Sequence, residues 1–208
     1  MKTLTSFLIA GSVLLSAPVF AASSKHVTYS IDAASFSDVQ MEMSIGEMEI
    51  EVYAGESIEL EIELIAERRW FSLRRDDVDD IELEQRDRGD SLYLGIDDDD
   101  LHQTWVVRMP AHLALEIDVG VGEVEITDFE NSLKLELGVG AVQVNVANTN
   151  YSEIVATAGV GDAVIRGFGQ GTDNERSMLV GADAYYYGDG EHTIEVEVGV
   201  GDARIRAR

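Results

Sequence analysis

The chain has 208 residues, of which 40 are acidic and 15 basic, giving a formal net charge of −25; this length suits one domain or at most two. That charge balance argues against nucleic acid or an anionic membrane surface as a partner, because both are bound through clustered cations. A hydrophobic content of 45% is too high for a disordered acidic tail, and the lack of cysteine excludes disulfides and thiolate metal sites.

Residues 1–21 have the pattern of a secretory signal peptide. Lys2 supplies the positive start, residues 7–15 form a short apolar core, and small residues lead to a cleavage site after Ala21. The apolar run is too short to span a bilayer with margin, and no second run follows it. We therefore expect one mature domain, residues 22–208, that is periplasmic or secreted by a bacterium, with no transmembrane span once the signal is removed.

A seven-residue phrase built on Gly-x-Gly recurs about every 20 residues, which indicates a repeat architecture. Full copies occupy residues 120–126, 138–144, 159–165 and 199–205, an earlier copy lies at 44–50, and a degraded copy lies at 180–186. The second glycine of each phrase is predicted to form a structural corner. These corner glycines are Gly46, Gly122, Gly140, Gly161 and Gly201.

The apolar residues change parity at each phrase. Ile117, Val119 and Val121 occupy odd positions, and the apolar residues after the glycine, Val124 and Ile126, occupy even ones. In a straight strand such a slip would turn every later side chain to the wrong face, so the chain has to bend or bulge there. Glycine suits that position because it accepts positive φ and a close backbone approach.

This pattern predicts an all-β chain folded as a single-stranded β-solenoid with glycine corners, in which successive units pair in parallel. A right-handed coil is expected from the general crossover preference. The solenoid should be regular in residues 113–208 and irregular in 51–112, where the glycine phrase is missing. The alternative is an antiparallel sandwich of hairpins, which would need Asn-Gly or Asp-Gly turns that are scarce here.

The sequence resembles the putative-adhesin family of bacterial envelope proteins, also called toast-rack domains. The resemblance covers roughly residues 40–208 and lies in the segments 92–94 (Leu-Tyr-Leu), 109–110 (Met-Pro) and 113–115 (Leu-Ala-Leu), followed by the glycine units. The family shows Ser-Gly-Asp at its corners, where this chain has Val-Gly-Asp, Val-Gly-Glu or Val-Gly-Ala. The resemblance implies an exported β-solenoid of the cell envelope and supplies no catalytic residues.

The search for reactive groups predicts no catalytic, cofactor-binding or metal-binding residue. The four histidines are scattered, and acidic runs at residues 76–80 and 97–100 fit solvated loops better than calcium sites. Acids after the corners are expected to line up as structural turn residues rather than as a metal stripe. The histidines are His26, His102, His112 and His192, and the corner acids are Glu47, Glu123, Asp162, Asp183 and Asp202.

One basic and aromatic segment stands out from the acidic background, because arginine and tryptophan are enriched at binding hot spots. It could dock a protein, an acidic glycan or a lipopolysaccharide phosphate, or it could be a local patch neutralised by the acids at 76–80. Its residues are Arg68, Arg69, Trp70, Phe71, Arg74 and Arg75. A second aromatic run, at 185–187, fits a degraded coil better than a sugar-stacking platform.

Together these patterns predict an exported, non-enzymatic β-solenoid that acts as a structural or adhesin-like binding protein of the envelope. Its partner would be an envelope protein or a glycan. The alternatives are a polysaccharide-active enzyme on a β-helix scaffold and a calcium-stabilised surface protein. The last unit ends at Arg208 with no capping segment, which opens the further alternative of end-to-end self-association.

Overall fold

The computed structural model describes residues 24–66, 78–96, 98–169, 172–176 and 181–208. This part of the chain is all-β, with one short 3₁₀-helix at Val78–Asp80, and it contains no helix long and apolar enough to span a bilayer. The strands are β1 (Ser24–Asp32), β2 (Asp38–Tyr53), β3 (Ser57–Ala66), β4 (Glu84–Asp87), β5 (Ser91–Ile96), β6 (Leu101–Pro110), β7 (Ala114–Phe129), β8 (Leu133–Val146), β9 (Tyr151–Arg166), β10 (Thr172–Arg176), β11 (Ala182–Tyr187) and β12 (His192–Ala207).

The twelve strands form one mixed sheet. Its main path is β1-β3-β6-β2-β7-β8-β12-β9-β11-β10, and β5 pairs with β2 and β4 beside this path. The central strands β2, β7, β8, β12 and β9 are parallel, whereas pairs near both ends of the path, such as β1–β3 and β9–β11, are antiparallel. The all-β prediction is confirmed, and the hairpin alternative is correct only for the ends of the sheet.

The five central strands are in register over most of their length, with shifts between Ile126 and Phe129 and between His192 and Thr193. Equivalent positions of the repeat lie directly opposite one another, and the side chains of one buried row are Ile50, Ile126, Val144, Ile205 and Ile165. Such a row buries one branched aliphatic side chain on each strand, and each contributes about 1.5–3 kcal/mol to the free energy of folding. Because the inward residues occupy equivalent positions in each repeat, their rows join into one continuous core.

The parity change predicted from the sequence is visible in the burial pattern. In β7, Leu115, Ile117 and Val119 are buried before the Gly-x-Gly segment, and Val124 and Ile126 are buried after it. The residue between the two glycines differs from expectation. The four valines at this position are 45–46% exposed, so the last inward residue of the first half lies two positions earlier; these valines are Val121, Val139, Val160 and Val200.

The second glycines of the five repeats stack into a glycine column. In strand order it runs Gly46, Gly122, Gly140, Gly201 and Gly161. At each of these positions an added methyl group would overlap a backbone carbonyl oxygen of the neighbouring strand. The φ angles of Gly140 and Gly201, 145° and 140°, lie in a region that residues with a Cβ rarely adopt. Both observations require glycine.

Two shorter strands replace a long strand beside β2. The first half of β2 pairs with β5 and its second half pairs with β6, so the partner strand is interrupted between Ile96 and Leu101. Gln103 lies opposite Gly46 and is completely buried. Its amide nitrogen donates to the Ile96 carbonyl at 3.2 Å, and its amide oxygen accepts from Trp105 Nε1 at 3.0 Å. The buried amide of Gln103 thus has a partner for both its nitrogen and its oxygen, as a buried polar group requires.

Two expectations about the order of units are wrong. The C-terminal unit is not the end of the stack: β12 pairs in parallel with β8 on one edge and β9 on the other, so the main chain of that unit is covered on both sides. The degraded copy is not a parallel unit either, because β11 pairs antiparallel to β9 and places Ala182 opposite Ala158. Once the final strand is inserted between β8 and β9, a capping segment after Arg208 is unnecessary.

The glycine column yields a stability prediction. Gly140→Ala should lower the free energy of unfolding by about 3 kcal/mol or more, because it adds both backbone strain and overlap with the Gly122 carbonyl. The matched control is Gly169→Ala, where φ is also positive at 75° but no atom of the described residues lies within 4 Å of the added methyl group. The control should cost about 1 kcal/mol. Equal losses in urea unfolding would contradict the packing role of the column.

Candidate binding surface

The outward side chains of the central strands also form rows, because parallel strands in register place equivalent residues side by side. One row, on the half of each strand before the glycines, is almost entirely acidic. Glu42 lies opposite Asp118, Asp118 opposite Glu136, and Glu136 opposite Glu197. We refer to Glu42, Asp118, Glu136 and Glu197 as the acidic row.

The pKa of Asp118 is raised above its ordinary value. Partial burial is the largest cause, followed by the negative charges of Glu136 and Glu42. The neighbouring outward row contains Lys134, whose ammonium lies 2.8 Å from Glu136 and 3.7 Å from Glu116. The hydrogen bond to Glu136 raises the pKa of Lys134. One lysine thus partly neutralises an array of carboxylates.

The half that follows the glycine carries positive charge on β12 and β9, whereas the same half of β2 and β7 is acidic. Arg204 and Arg206 of β12 and Arg166 of β9 are exposed on the outer surface, next to Gln143 and Asn145 of β8. We refer to these five residues as the arginine patch. Arg206 lies directly opposite Arg166 in the register. At a strand spacing of about 4.8 Å, two such charges repel by about 0.9 kcal/mol in water and about 3.5 kcal/mol at an effective dielectric of 20.

A third outward feature is apolar. We refer to Val121, Val139, Val200 and Val160 as the valine row, since they are adjacent in strand order between the two glycines of each repeat. The valine row lies between the acidic row, which precedes the glycines, and the arginine patch, which follows them. Isolated exposed valines are ordinary, but four neighbours at 45–46% exposure make a continuous apolar ridge.

An aromatic residue with cationic neighbours lies beside the acidic row. The hydroxyl of Tyr93 donates to Glu42 Oε2 at 2.9 Å. The guanidinium groups of Arg86 and Arg88 lie 4.9 Å and 5.4 Å from the centre of its ring, within cation–π range. Burial, followed by the hydrogen bond to Glu42, raises the pKa of Tyr93 to about 12. The ring is therefore occupied by contacts within the protein.

The predicted interaction segment, residues 68–75, lies outside the described residues, so its role stays a prediction. In the aromatic run at 185–187, the structure buries Tyr186 against Phe168, with ring centres 4.8 Å apart, and leaves Tyr187 62% exposed. Three parallel rings facing solvent are therefore not present there. This arrangement agrees with the preference for a packed strand over a sugar-stacking platform.

The corner acids line up as the repeat predicted, with one exception. Glu47 lies opposite Glu123, Ala141 interrupts the row, and Asp202 lies opposite Asp162. The Asp202 carboxylate accepts the Asp162 backbone N–H at 3.2 Å and pairs with Arg204 at 2.7 Å. The exception is Asp183, which lies opposite Thr157 in the antiparallel strand β11. Asp202 thus acts as a structural acceptor.

The histidines have separate local partners. His26 Nε2 lies 2.8 Å from Glu61, His112 Nε2 lies 3.3 Å from the Ala33 carbonyl, and the His192 ring packs edge-on against Tyr151. In the acidic loop at 97–100, the Asp98 carboxylate accepts the backbone N–H of Asp100 at 2.9 Å, which is ordinary turn chemistry. Within the ranges that the structure describes, no group of three or more His, Asp or Glu residues is arranged to hold a metal ion.

The electrostatics of the acidic row predict a pH-dependent stability. Because the pKa of Asp118 is raised above its ordinary 3.8, the native state holds this proton more tightly than the unfolded chain does. The free energy of unfolding therefore falls as the pH rises from the unfolded-state pKa of Asp118 through its higher native-state pKa, and the loss persists at neutral pH. We expect Asp118→Asn to raise the melting temperature at pH 7 and to have no such effect below about pH 3.

Glu116→Gln is the matched control for this measurement, because it also removes one outward carboxylate, but one that lies 3.7 Å from Lys134. Its melting temperature at pH 7 should be unchanged or slightly lower. If both variants gain stability equally, general charge reduction rather than the acidic row is responsible.

No protein-family model and no curated protein sequence matches this chain. Among solved structures, the crystal structure of a putative cell adhesion protein from Clostridium sporogenes aligns over 89% of this chain and 100% of that one, with 15% identity and a TM-score of 0.53. A putative adhesin from Bacteroides fragilis aligns over 88% of this chain and 97% of that one, with 12% identity and a TM-score of 0.31. The second value is too low to support an argument. The resemblance predicted from the sequence is confirmed at the level of fold: the chain shares its architecture with a crystallised bacterial protein described as a putative cell adhesion protein.

Proposed function

We propose that the five central strands are the rungs of a β-solenoid, right-handed by the general crossover preference, in which each strand bends at its second glycine. The parity change of buried residues at that glycine supports a bend, since the residues on both sides belong to one core. The positive φ angles at the column support it as well. In this solenoid the rung of β12 lies between those of β8 and β9 rather than at the end.

We propose that the protein is exported to the periplasm or beyond, where it acts as a non-enzymatic, adhesin-like binding protein of the envelope. The observation that carries this proposal is the fold shared with a putative cell adhesion protein over that protein's whole length. The signal-like residues 1–21 and the mature domain 22–208 fit the same compartment. The partner would be an envelope protein or a glycan. End-to-end self-association stays a prediction, and the path ends, β1 and β10, are where it would occur.

The basic and aromatic segment at residues 68–75 is the first contact that we propose for the partner. Its arginines and Trp70 combine bidentate hydrogen-bond donors with a large apolar surface, the combination that dominates binding energy at interfaces. It follows β3 in the chain, and β3 lies next to the edge strand β1, outside the five central strands.

The test uses beads coated with residues 22–208 and envelope fragments of the producing bacterium. We expect the beads to bind, the soluble protein to compete, and Trp70→Ala/Arg74→Glu to reduce binding at least about thirty-fold, the loss typical of a hot-spot residue. The matched control, Tyr187→Ala/Arg86→Glu, removes an exposed aromatic side chain and an arginine elsewhere and should bind normally. Protein recovered from cells should begin at Ala22.

Binding that soluble protein does not displace, or a cytoplasmic protein that retains residues 1–21, would contradict the proposal. If the control variant loses as much binding as Trp70→Ala/Arg74→Glu, the segment at 68–75 is not the contact, although the adhesin-like role would stand.

A further inference from the structure

We infer that the arginine patch is a binding site for the carboxylate or sulfate groups of an acidic polysaccharide. This inference deepens the proposed function and rests on it, because it names the chemistry of one partner. It involves different residues from the segment at 68–75.

The first observation is the placement of the arginines. The register puts Arg206 beside Arg166 on one side and Asn145 on the other, and it puts Arg204 beside Gln143 and Val164. Arg204 and Arg206 are two residues apart in β12, so both point away from the core. Three guanidinium groups from two adjacent strands therefore share one outer face, in a chain whose formal net charge is −25.

The second observation is how these cations are paired. Arg204 is held by Asp202, with 2.7 Å between Nη2 and Oδ2. Arg166 and Arg206 form no ion pair within the part of the chain that the structure describes, although acidic residues outnumber basic ones almost three to one. Folding has thus placed two like charges side by side without a carboxylate between them. An oxyanion from outside would relieve their repulsion and accept their hydrogen bonds.

The third observation is a shallow depression of about 120 Å³ at this place. It is lined by Gln143, Asn145, Val164, Arg166, Arg204, Ile205 and Arg206. The depression is large enough to admit an oxyanion group beside the two arginines. The Gln143 amide already donates to Glu125 at 3.0 Å, which leaves Asn145, half-buried, as the neutral partner next to the two unpaired arginines.

The ligand is inferred from the balance of charges. A duplex nucleic acid carries one negative charge per about 1.7 Å of its axis, and so dense a polyanion would be repelled by the acidic row on the same strands. A second copy of this chain would carry the same formal net charge of −25, so the two copies would repel one another. A polysaccharide with at most about one anionic group per sugar can place a single group in the depression and keep its neutral parts over the valine row. This sparse charge favours an acidic glycan.

The test measures binding of residues 22–208 to three probes by biolayer interferometry at about 0.15 M salt. The probes are polygalacturonate, kappa-carrageenan and neutral dextran, which separate sparsely charged carboxylate chains, sparsely charged sulfate chains and uncharged chains. We expect binding to one or both anionic probes and none to dextran. Arg166→Gln/Arg206→Gln should weaken it by at least about ten-fold, because each guanidinium provides a bidentate, charge-assisted contact.

Two control variants make the result specific. Arg86→Gln/Arg88→Gln also removes two positive charges, but these lie beside Tyr93 and outside the arginine patch. The affinity should therefore change less than about two-fold. Arg166→Lys/Arg206→Lys keeps the charge but loses the planar fork, and it should recover only part of the affinity. Equal weakening by both glutamine variants, or no binding of the unchanged protein to either anionic probe, would overturn the site. Neither result would affect bead binding through residues 68–75, so the two proposals fail separately.

Discussion

The contact on which the structure depends is the close approach of backbone carbonyl oxygens to the glycines of the neighbouring strands. In the glycine column a carbonyl oxygen of the neighbouring strand lies where a Cβ would be, so each of the five positions must be glycine, even where Gly46 faces Gln103. A strand shifted by one residue would bring a valine or an acid against the same carbonyl. The column therefore fixes the register as well as the shape of each strand. A fixed register in turn sorts the outer surface into an acidic row, a valine row and an arginine patch.

Much of this architecture could be predicted, because its cause is local. Alternation with a period of two indicates strands. The parity change at Gly122 and its equivalents indicates that the inward side chains switch between odd and even positions there, while both halves of the strand face one core. Parallel pairing in register followed from the similar repeats. The alignment of Glu47 with Glu123, and of Asp162 with Asp202, followed from the same spacing.

The order of the strands could not be predicted, because every repeat presents nearly the same inward row and any two would pair equally well. The insertion of β12 between β8 and β9, and the antiparallel pairing of β11, are decided by the connections and not by the repeat. The arginine patch was missed for this reason. Arg166 and Arg206 are far apart in sequence, and only the inserted strand makes them neighbours. The valines between the glycines were expected inside because alternation alone does not reveal where a strand changes direction.

Cysteine cross-linking tests this arrangement most directly, since the natural chain contains no cysteine. Glu197 lies opposite Glu136 on β8 and Thr157 on β9, so those two residues are two strand spacings apart. A disulfide needs Cα atoms within about 4.4–6.8 Å, which adjacent strands at about 4.8 Å allow and strands at twice that distance do not. Glu197→Cys should therefore cross-link with Glu136→Cys or with Thr157→Cys upon oxidation, and the pair Glu136→Cys/Thr157→Cys should stay reduced. Cross-linking of that last pair, with none to position 197, would show that β8 pairs directly with β9 and would contradict the account.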